Sequence, residues 1–160
     1  MMVQAPAYFS EDIKTLKVTS EAFNNKAYIP LKYTCEGADI NPPLVIENIP
    51  HKTKSLVLIV DDPDAPSGTF THWIVWNILP SGKIKENSIA GNEGMNSFKQ
   101  QHYGGPCPPS GTHCYVFKIY ALDEMLELAA TSTKKEVEET MNAHIIGYGE
   151  LVGLYKRTLN

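Results

Sequence analysis

Two proline-rich segments of the chain each lead to a histidine and carry side chains that could bind a ligand. The first spans residues 61–68 and precedes His72, and the second spans residues 104–111 and precedes His113. Because proline fixes its own φ and restricts the preceding residue, such loops hold one shape at a small entropic cost. The two segments therefore predict a single site that is assembled from distant parts of the chain.

The residue types in these segments indicate a site for a small anion. Histidine changes charge near neutral pH, so two imidazoles and a tyrosine hydroxyl could hold a phosphate or a carboxylate by charge-assisted hydrogen bonds. If both histidines must be protonated, affinity should fall as the pH rises through about 6 to 7.5. Asp62 and Asp64 would repel an anion unless each is paired with a histidine or used by its own loop, so we expect one of them to orient an imidazole and Asp62 to belong to the site. For Asp64, a site role and a turn-capping role both remain open.

The elements that must position these residues are mainly strands. Short β-branched or aromatic runs, separated by Pro, Gly, Asn and Ser, predict strands over residues 16–19, 29–34, 44–46, 55–60, 71–79, 113–122 and 150–155. A capping box of Thr133 and Glu136, followed by an apolar stripe, predicts one helix over residues 134–145. The polar residues 84–103 read as a long ordered connection. The pattern predicts an all-β sandwich with one or two short helices.

Strand alternation predicts where the two histidines point. His72 should share a face with Ile74, Trp76 and Ile78, and His113 should share one with Tyr115, Phe117 and Ile119. Lys118 marks the opposite face of the second strand as the more solvated one. Both histidines should therefore point toward the core from the ends of their strands.

Composition limits the class of protein. At 160 residues the chain is expected to form one domain, and its net charge of -4, without a run of Lys or Arg, indicates neither a nucleic acid nor an anionic membrane as a partner. We find neither a signal peptide nor a transmembrane segment and expect a cytoplasmic protein. The three cysteines match no zinc-ligand spacing, and one stays unpaired in any disulfide scheme, so reduced thiols are expected.

The chain resembles the phosphatidylethanolamine-binding protein family, also called the Raf kinase inhibitor protein family, and especially its bacterial and archaeal branch. The resemblance covers nearly the whole chain. It is carried by Tyr-Thr-Cys-Glu-Gly at residues 33–37, Asn-Pro-Pro-Leu at 41–44, the two proline-rich segments with their histidines, Tyr-Ala-Leu-Asp at 120–123 and Glu-Leu-Val-Gly at 150–153.

The resemblance implies a two-sheet β-sandwich with a small pocket for phosphate-like groups, including the phosphoethanolamine headgroup, and no cofactor. Carried over by position, the ligand-binding residues would be Asp62, Asp64, Phe70, His72, Cys107, Pro108, His113 and Tyr115. Relatives inhibit protein kinases or serine proteases, so a protein target of that kind and a homodimer are further expectations. Where the family usually has Arg, this chain has Cys114, which removes a cation behind the pocket.

Three functions remain to be compared. The first is a non-enzymatic binding protein for a small anion, and the second is a regulator that acts through its surface. The third is an enzyme that uses a histidine as general base, or a metal held by His72, His113 and Asp62. Because no nucleophile lies in a recognisable elbow motif and the resemblance implies no cofactor, we expect a binding protein and not an enzyme.

Overall fold

The structure is a computed structural model that describes residues 12–158, and strands in two sheets dominate it. The strands are β1 (Lys14–Thr15), β2 (Lys17–Thr19), β3 (Leu44–Glu47), β4 (Ser55–Asp62), β5 (Phe70–Ile78), β6 (Lys83–Ile84), β7 (Asn92–Glu93), β8 (His113–Leu122) and β9 (Ile145–Tyr155). The larger sheet has the order β1-β9-β8-β4-β5-β7, and the smaller has the order β2-β3-β6. The predicted two-sheet, mostly β fold is confirmed.

One hydrophobic layer joins the two sheets. Strand β9 alternates between buried and half-buried residues along its whole length, as expected for a strand that has one face on a core. Strand β4 is buried at every position because both faces of the larger sheet are covered there. Each large apolar side chain removed from water in this layer contributes roughly 1.5–3 kcal/mol. The layer is built mainly from Val18, Leu44, Ile46, Leu58, Val60, Trp73, Val75, Phe117 and Ile119.

The other face of the larger sheet is covered by helix α1 (Lys134–Met141). The helix begins at the predicted capping box of Thr133 and Glu136, and its residues Val137 and Met141 are fully buried against the sheet. The predicted extension of the helix to residue 145 is wrong. A 3-10 turn (Asn142–His144) follows Met141, and Ile145 begins β9, because its ladder pairing with β8 takes precedence over the helical stripe.

Along β8 the half-buried residues are Cys114 and Lys118, so the face that carries them is the more solvated one, as predicted. The Lys118 Nζ atom lies 3.0 Å from Oδ2 of Asp61, and the Lys134 Nζ atom of the helix lies 2.7 Å from the same oxygen. Asp61 is only 1% exposed. Burial alone would raise the pKa of its carboxyl group, but the charges of Lys134 and Lys118 outweigh burial and lower that pKa. This face therefore contains an ion-pair cluster, centred on the buried Asp61 carboxylate, that ties the helix to the sheet.

The predicted strand over residues 29–34 is replaced by a 3-10 turn (Leu31–Tyr33). Pro30 has no N–H for a ladder, and its carbonyl accepts a hydrogen bond from the Tyr33 amide instead. Ile84 ends strand β6, and residues 85–103 then form the predicted long connection, which contains the two-residue strand β7. Between residues 12 and 158, no helix has the length and apolar character needed to cross a membrane.

Candidate functional site

Three strand ends meet at one edge of the larger sheet. Strand β4 lies between β5 and β8, and because its neighbours are antiparallel to it, the end of β4 meets the beginnings of both. Asp62, Phe70 and His113 occupy these positions. A cavity of about 210 Å³ opens there, lined by Asp62, Ala65, Pro66, Phe70, His72, Phe98, Cys107, Pro108, Pro109, His113 and Tyr115.

A β-bulge places His72 in this cavity. Val60 pairs with Trp73, but the next residue, Asp61, pairs with Thr71, so His72 is the extra residue on β5. The predicted alternation is therefore wrong at this point: His72 and Trp73 lie on the same side of the sheet, and Ile74 lies on the other. Bulges commonly redirect a side chain at a functional site. The predicted meeting of the two histidine-bearing segments at one place is nevertheless what the structure shows.

The cavity floor holds each imidazole by its Nδ1 atom. His113 Nδ1 lies 2.7 Å from Oδ2 of Asp62, whose other oxygen accepts the Asp64 amide at 2.8 Å. His72 donates its Nδ1–H to the carbonyl of Gly104 at 2.8 Å. Burial lowers the pKa of His72, so this ring is neutral at pH 7, and Nε2 is then its hydrogen-bond acceptor. Within the described residues the side-chain hydrogen bonds of both rings are made through Nδ1, and the Gly105 backbone also lies near His72.

Tyr115 lies between the two imidazoles. Its ring centroid is 5.3 Å from that of His72 and 6.4 Å from that of His113. The side chain is fully buried, and its hydroxyl has no hydrogen-bond partner of good geometry among residues 12–158, although Asp62 and the Cys107 backbone lie near it. Burial, and after it the negative charge of Asp62, raise the pKa of this hydroxyl above its ordinary value. The group is therefore a protonated donor at any ordinary pH, and its lack of a partner carries a free-energy penalty.

Two phenylalanines form the rim of the cavity. The rings of Phe70 and Phe98 are 4.8 Å apart and meet edge to face, and each lies 5.2 Å from the His72 ring. Phe70 was expected at this rim, whereas Phe98 was not. The available signal was that Phe98 is one of two aromatic residues in the polar connection 84–103, the other being Tyr103. Gly104 permits the arrangement, because a Cβ atom at this position would lie 2.6 Å from the Phe98 ring.

Cys107 and Pro108 line the cavity as expected, but the prediction of reduced thiols is wrong for two of the three cysteines. Cys35 and Cys107 form a disulfide, with Cα atoms 5.5 Å apart. The amide of Cys35 donates to the carbonyl of Pro106, which brings the two segments together. Because the two cysteines lie 72 positions apart in sequence, their spacing alone could not indicate the pair.

Asp64 and Cys114 lie outside the cavity lining. The Asp64 carboxylate accepts the Cys114 amide at 2.8 Å and so joins the first loop to the start of β8. The thiol of Cys114 is half-buried and free. Burial, together with the Asp64 carboxylate, raises its pKa, which disfavours the reactive thiolate. His102 is exposed and also lies outside the lining.

The hydrogen bonds of Asp62 are relevant to the alternative in which His72, His113 and Asp62 hold a metal ion. Among residues 12–158, no three His, Cys, Asp or Glu side chains are grouped so that they could hold a metal ion. One oxygen of Asp62 accepts from His113 and the other from the Asp64 amide. The carboxylate therefore serves to orient an imidazole and to close its own loop.

Fold and site together define a class of protein: a two-sheet β-sandwich with a small histidine-lined pocket at the edge of the larger sheet. The family model described as phosphatidylethanolamine-binding protein matches residues 19–156. The chain belongs to the phosphatidylethanolamine-binding protein family, as its sequence motifs indicated.

Relatives occur in archaea and bacteria. A UPF0098 protein of Pyrococcus horikoshii is 53% identical over 158 residues, which cover 92% of this chain and 79% of the relative. A Chlamydia trachomatis homologue of phosphatidylethanolamine-binding protein, known from a crystal structure, is 40% identical to this chain in sequence. The two structures match with a TM-score of 0.87, and the match covers 90% of this chain and 99% of the homologue. E. coli YbcL, described as a new member of the mammalian family, is 28% identical, with a TM-score of 0.82 over 89% and 99% of the two chains.

Proposed function

We propose that the cavity binds a small anion, phosphate or a phosphate monoester such as phosphoethanolamine, and that the protein acts through binding and not through catalysis. The observation that carries this proposal is the buried Tyr115 hydroxyl, which has no partner of good geometry in the described chain and lies between two imidazoles that are held through Nδ1. Native proteins rarely leave a buried donor unused, and a ligand oxygen would satisfy it. Membership of the phosphatidylethanolamine-binding protein family supports the same ligand class.

The proposed ligand takes its hydrogen bonds from three groups. Tyr115 donates its hydroxyl proton, and His72 and His113 donate from Nε2 once each ring is protonated. Asp62 stabilises the positive charge on His113 from the opposite side of that ring. The apolar rim of Phe70, Phe98 and the neighbouring prolines provides a surface for the ester substituent. The site combines donors at its floor with apolar walls, as is usual for small-ligand pockets.

The arrangement favours binding over catalysis because its polar groups already have positioning roles. Both oxygens of Asp62 accept hydrogen bonds, so this carboxylate is not available as a general base. The cysteine of the cavity wall is held in a disulfide. The remaining groups, two imidazoles and a tyrosine, are suited to holding an oxyanion.

Replacing His72 with alanine should weaken the binding of phosphate roughly 30-fold, because a hydrogen bond to a charged group contributes about 2 kcal/mol. Calorimetric titration with phosphate at pH 6 measures the effect. The matched control is His102→Ala, which removes an exposed histidine of the neighbouring loop and should leave the affinity unchanged. Equal affinity in the wild type and the His72→Ala variant would contradict the assignment of His72.

The affinity for an anion should fall as the pH rises. Burial lowers the pKa of free His72, whereas a bound anion raises it, so binding takes up a proton in the window between the two values. Within that window the affinity decreases by up to about tenfold per pH unit for each proton taken up. Sulfate is the suitable probe, because it does not itself titrate between about pH 5 and 8, the range in which histidines change charge.

The measurement is a calorimetric series with sulfate in buffers that differ in ionisation enthalpy, so that proton uptake is read directly. In the His72→Ala variant the pH dependence should be weaker. An affinity that stays constant across the window, with no proton uptake, would rule out the charge mechanism.

A further inference from the structure

Asn96 lies at the centre of a hydrogen-bond network behind the cavity. Its side chain is buried, at 4% exposure, and all of its hydrogen-bonding groups have partners. Nδ2 donates to the carbonyls of His72 at 3.0 Å and His102 at 2.8 Å. Oδ1 accepts the amides of Phe98 and Gln100, both at 3.0 Å. Because carbonyls only accept and amides only donate, these partners determine the orientation of the side-chain amide.

The Nδ2 half of this side chain holds the bulge. His72 is the extra residue of β5, and its carbonyl accepts hydrogen bonds from the segment after β7 and not from β4. Asn96 supplies one donor, and the Gly104 amide supplies a second at 3.2 Å. The Gly104 carbonyl in turn accepts from the His72 ring. The orientation of the imidazole therefore depends on the segment that Asn96 ties to the bulge.

The Oδ1 half of the side chain positions the part of the rim that Phe98 forms. By accepting the amides of Phe98 and Gln100, it closes a tight turn in which Lys99 adopts a φ of 64°. The turn places the Phe98 ring 5.2 Å from the His72 ring. Asn96 thus joins the backbone of His72, on the cavity floor, to the turn that carries the Phe98 ring over it.

We propose that Asn96 is a positioning residue for the cavity: it fixes the bulged His72 and seats Phe98 over it. This inference rests on the proposed anion site for its functional meaning, but its geometry is independent of any ligand. The titratable groups around His72 are Asp62, His113 and Tyr115 in the cavity and Asp61 behind the sheet. Neither half of the Asn96 side chain contacts these groups, so Asn96 acts on His72 through backbone position and burial.

The test compares Asn96→Ala with Asn41→Ala. Asn41 is also buried, at 3% exposure, and its side chain bonds to the carbonyls of Lys85 and Pro42 and to the Ser88 amide, outside the cavity lining. Both variants should lose stability. Only Asn96→Ala should raise the pKa of His72 toward about 6.5, followed by NMR in the ligand-free protein, because burial is what lowers it. Only Asn96→Ala should weaken sulfate binding, by about tenfold or more.

The outcomes separate the two proposals. An unchanged His72 titration in Asn96→Ala, or an equal shift in Asn41→Ala, would overturn the role of Asn96. Failure of the wild-type protein to bind sulfate would overturn the anion site, and the ligand-free titration would still decide the role of Asn96. If Asn96→Ala does not fold, Phe98→Ala takes its place, because Phe98 is 38% exposed and should be tolerated. Phe98→Ala should raise the pKa of His72 in the same way. An unchanged pKa in this variant would refute the proposal that Asn96 seats Phe98 over His72.

Discussion

Reducing the disulfide between Cys35 and Cys107 should lower the free energy of unfolding by about 4 kcal/mol, the value expected for a loop of this length. The bond closes a loop over 72 positions of the sequence and so restricts the unfolded chain. Urea unfolding of the oxidised and the dithiothreitol-reduced protein measures the difference. A Cys114→Ser background keeps the third thiol out of disulfide exchange.

The control for the reductant is a Cys35→Ala, Cys107→Ala variant, whose unfolding midpoint should be the same with and without dithiothreitol. Thiol titration must show that the bond of the parent protein is broken in the reduced sample. An unchanged midpoint in a sample with both thiols free would contradict the prediction. Reduction should also weaken the binding of phosphate, because Cys107 forms part of the cavity wall.

Asp61→Asn should destabilise the protein by about 3 kcal/mol, because breaking a buried ion pair leaves an uncompensated charge. Asp61 is 1% exposed, and its Oδ2 atom is shared by Lys118 and Lys134, which join the sheet to helix α1. The matched control is Glu124→Gln, which removes an exposed partner of His144 and should change stability by less than about 1 kcal/mol. Chemical unfolding at pH 7 compares the two variants.

The contribution of Asp61 should also depend on pH in one direction. Its folded-state pKa is lowered, so the stabilisation is fully present above the unfolded value of about 3.9 and is lost as the pH falls through the folded value. The wild type should therefore lose more stability than Asp61→Asn between pH 5 and strongly acidic pH. Parallel acid-unfolding curves for the two proteins would mean that the ion-pair cluster contributes little.

Local patterns were sufficient to predict most of the strands and the meeting of His72 with His113. Strand alternation is a property of the backbone, and it held along β8, where His113 and Tyr115 both line the cavity. It failed at His72, because a bulge depends on the partner strand and on distant donors such as Asn96.

The other differences from prediction also arise from contacts that are distant in sequence. The ion-pair cluster of Lys118, Asp61 and Lys134 was not predicted, because it depends on a helix that forms some 16 positions after Lys118. Cys35 and Cys107 meet because their loops pack together. Phe98 reaches the rim because Asn96 closes the turn that carries it. None of these contacts has a periodic or spaced signature in the sequence, so they became visible only in the folded chain.

The most direct test of the proposed anion site is a crystal structure of the protein soaked with phosphate. We expect tetrahedral density in the cavity, within hydrogen-bonding distance of the Tyr115 hydroxyl and of Nε2 of His72 and His113. In crystals of the His72→Ala variant under the same conditions, that density should be absent or much weaker. Phosphate bound elsewhere on the protein, with only water between the two imidazoles of the wild type, would contradict the proposal.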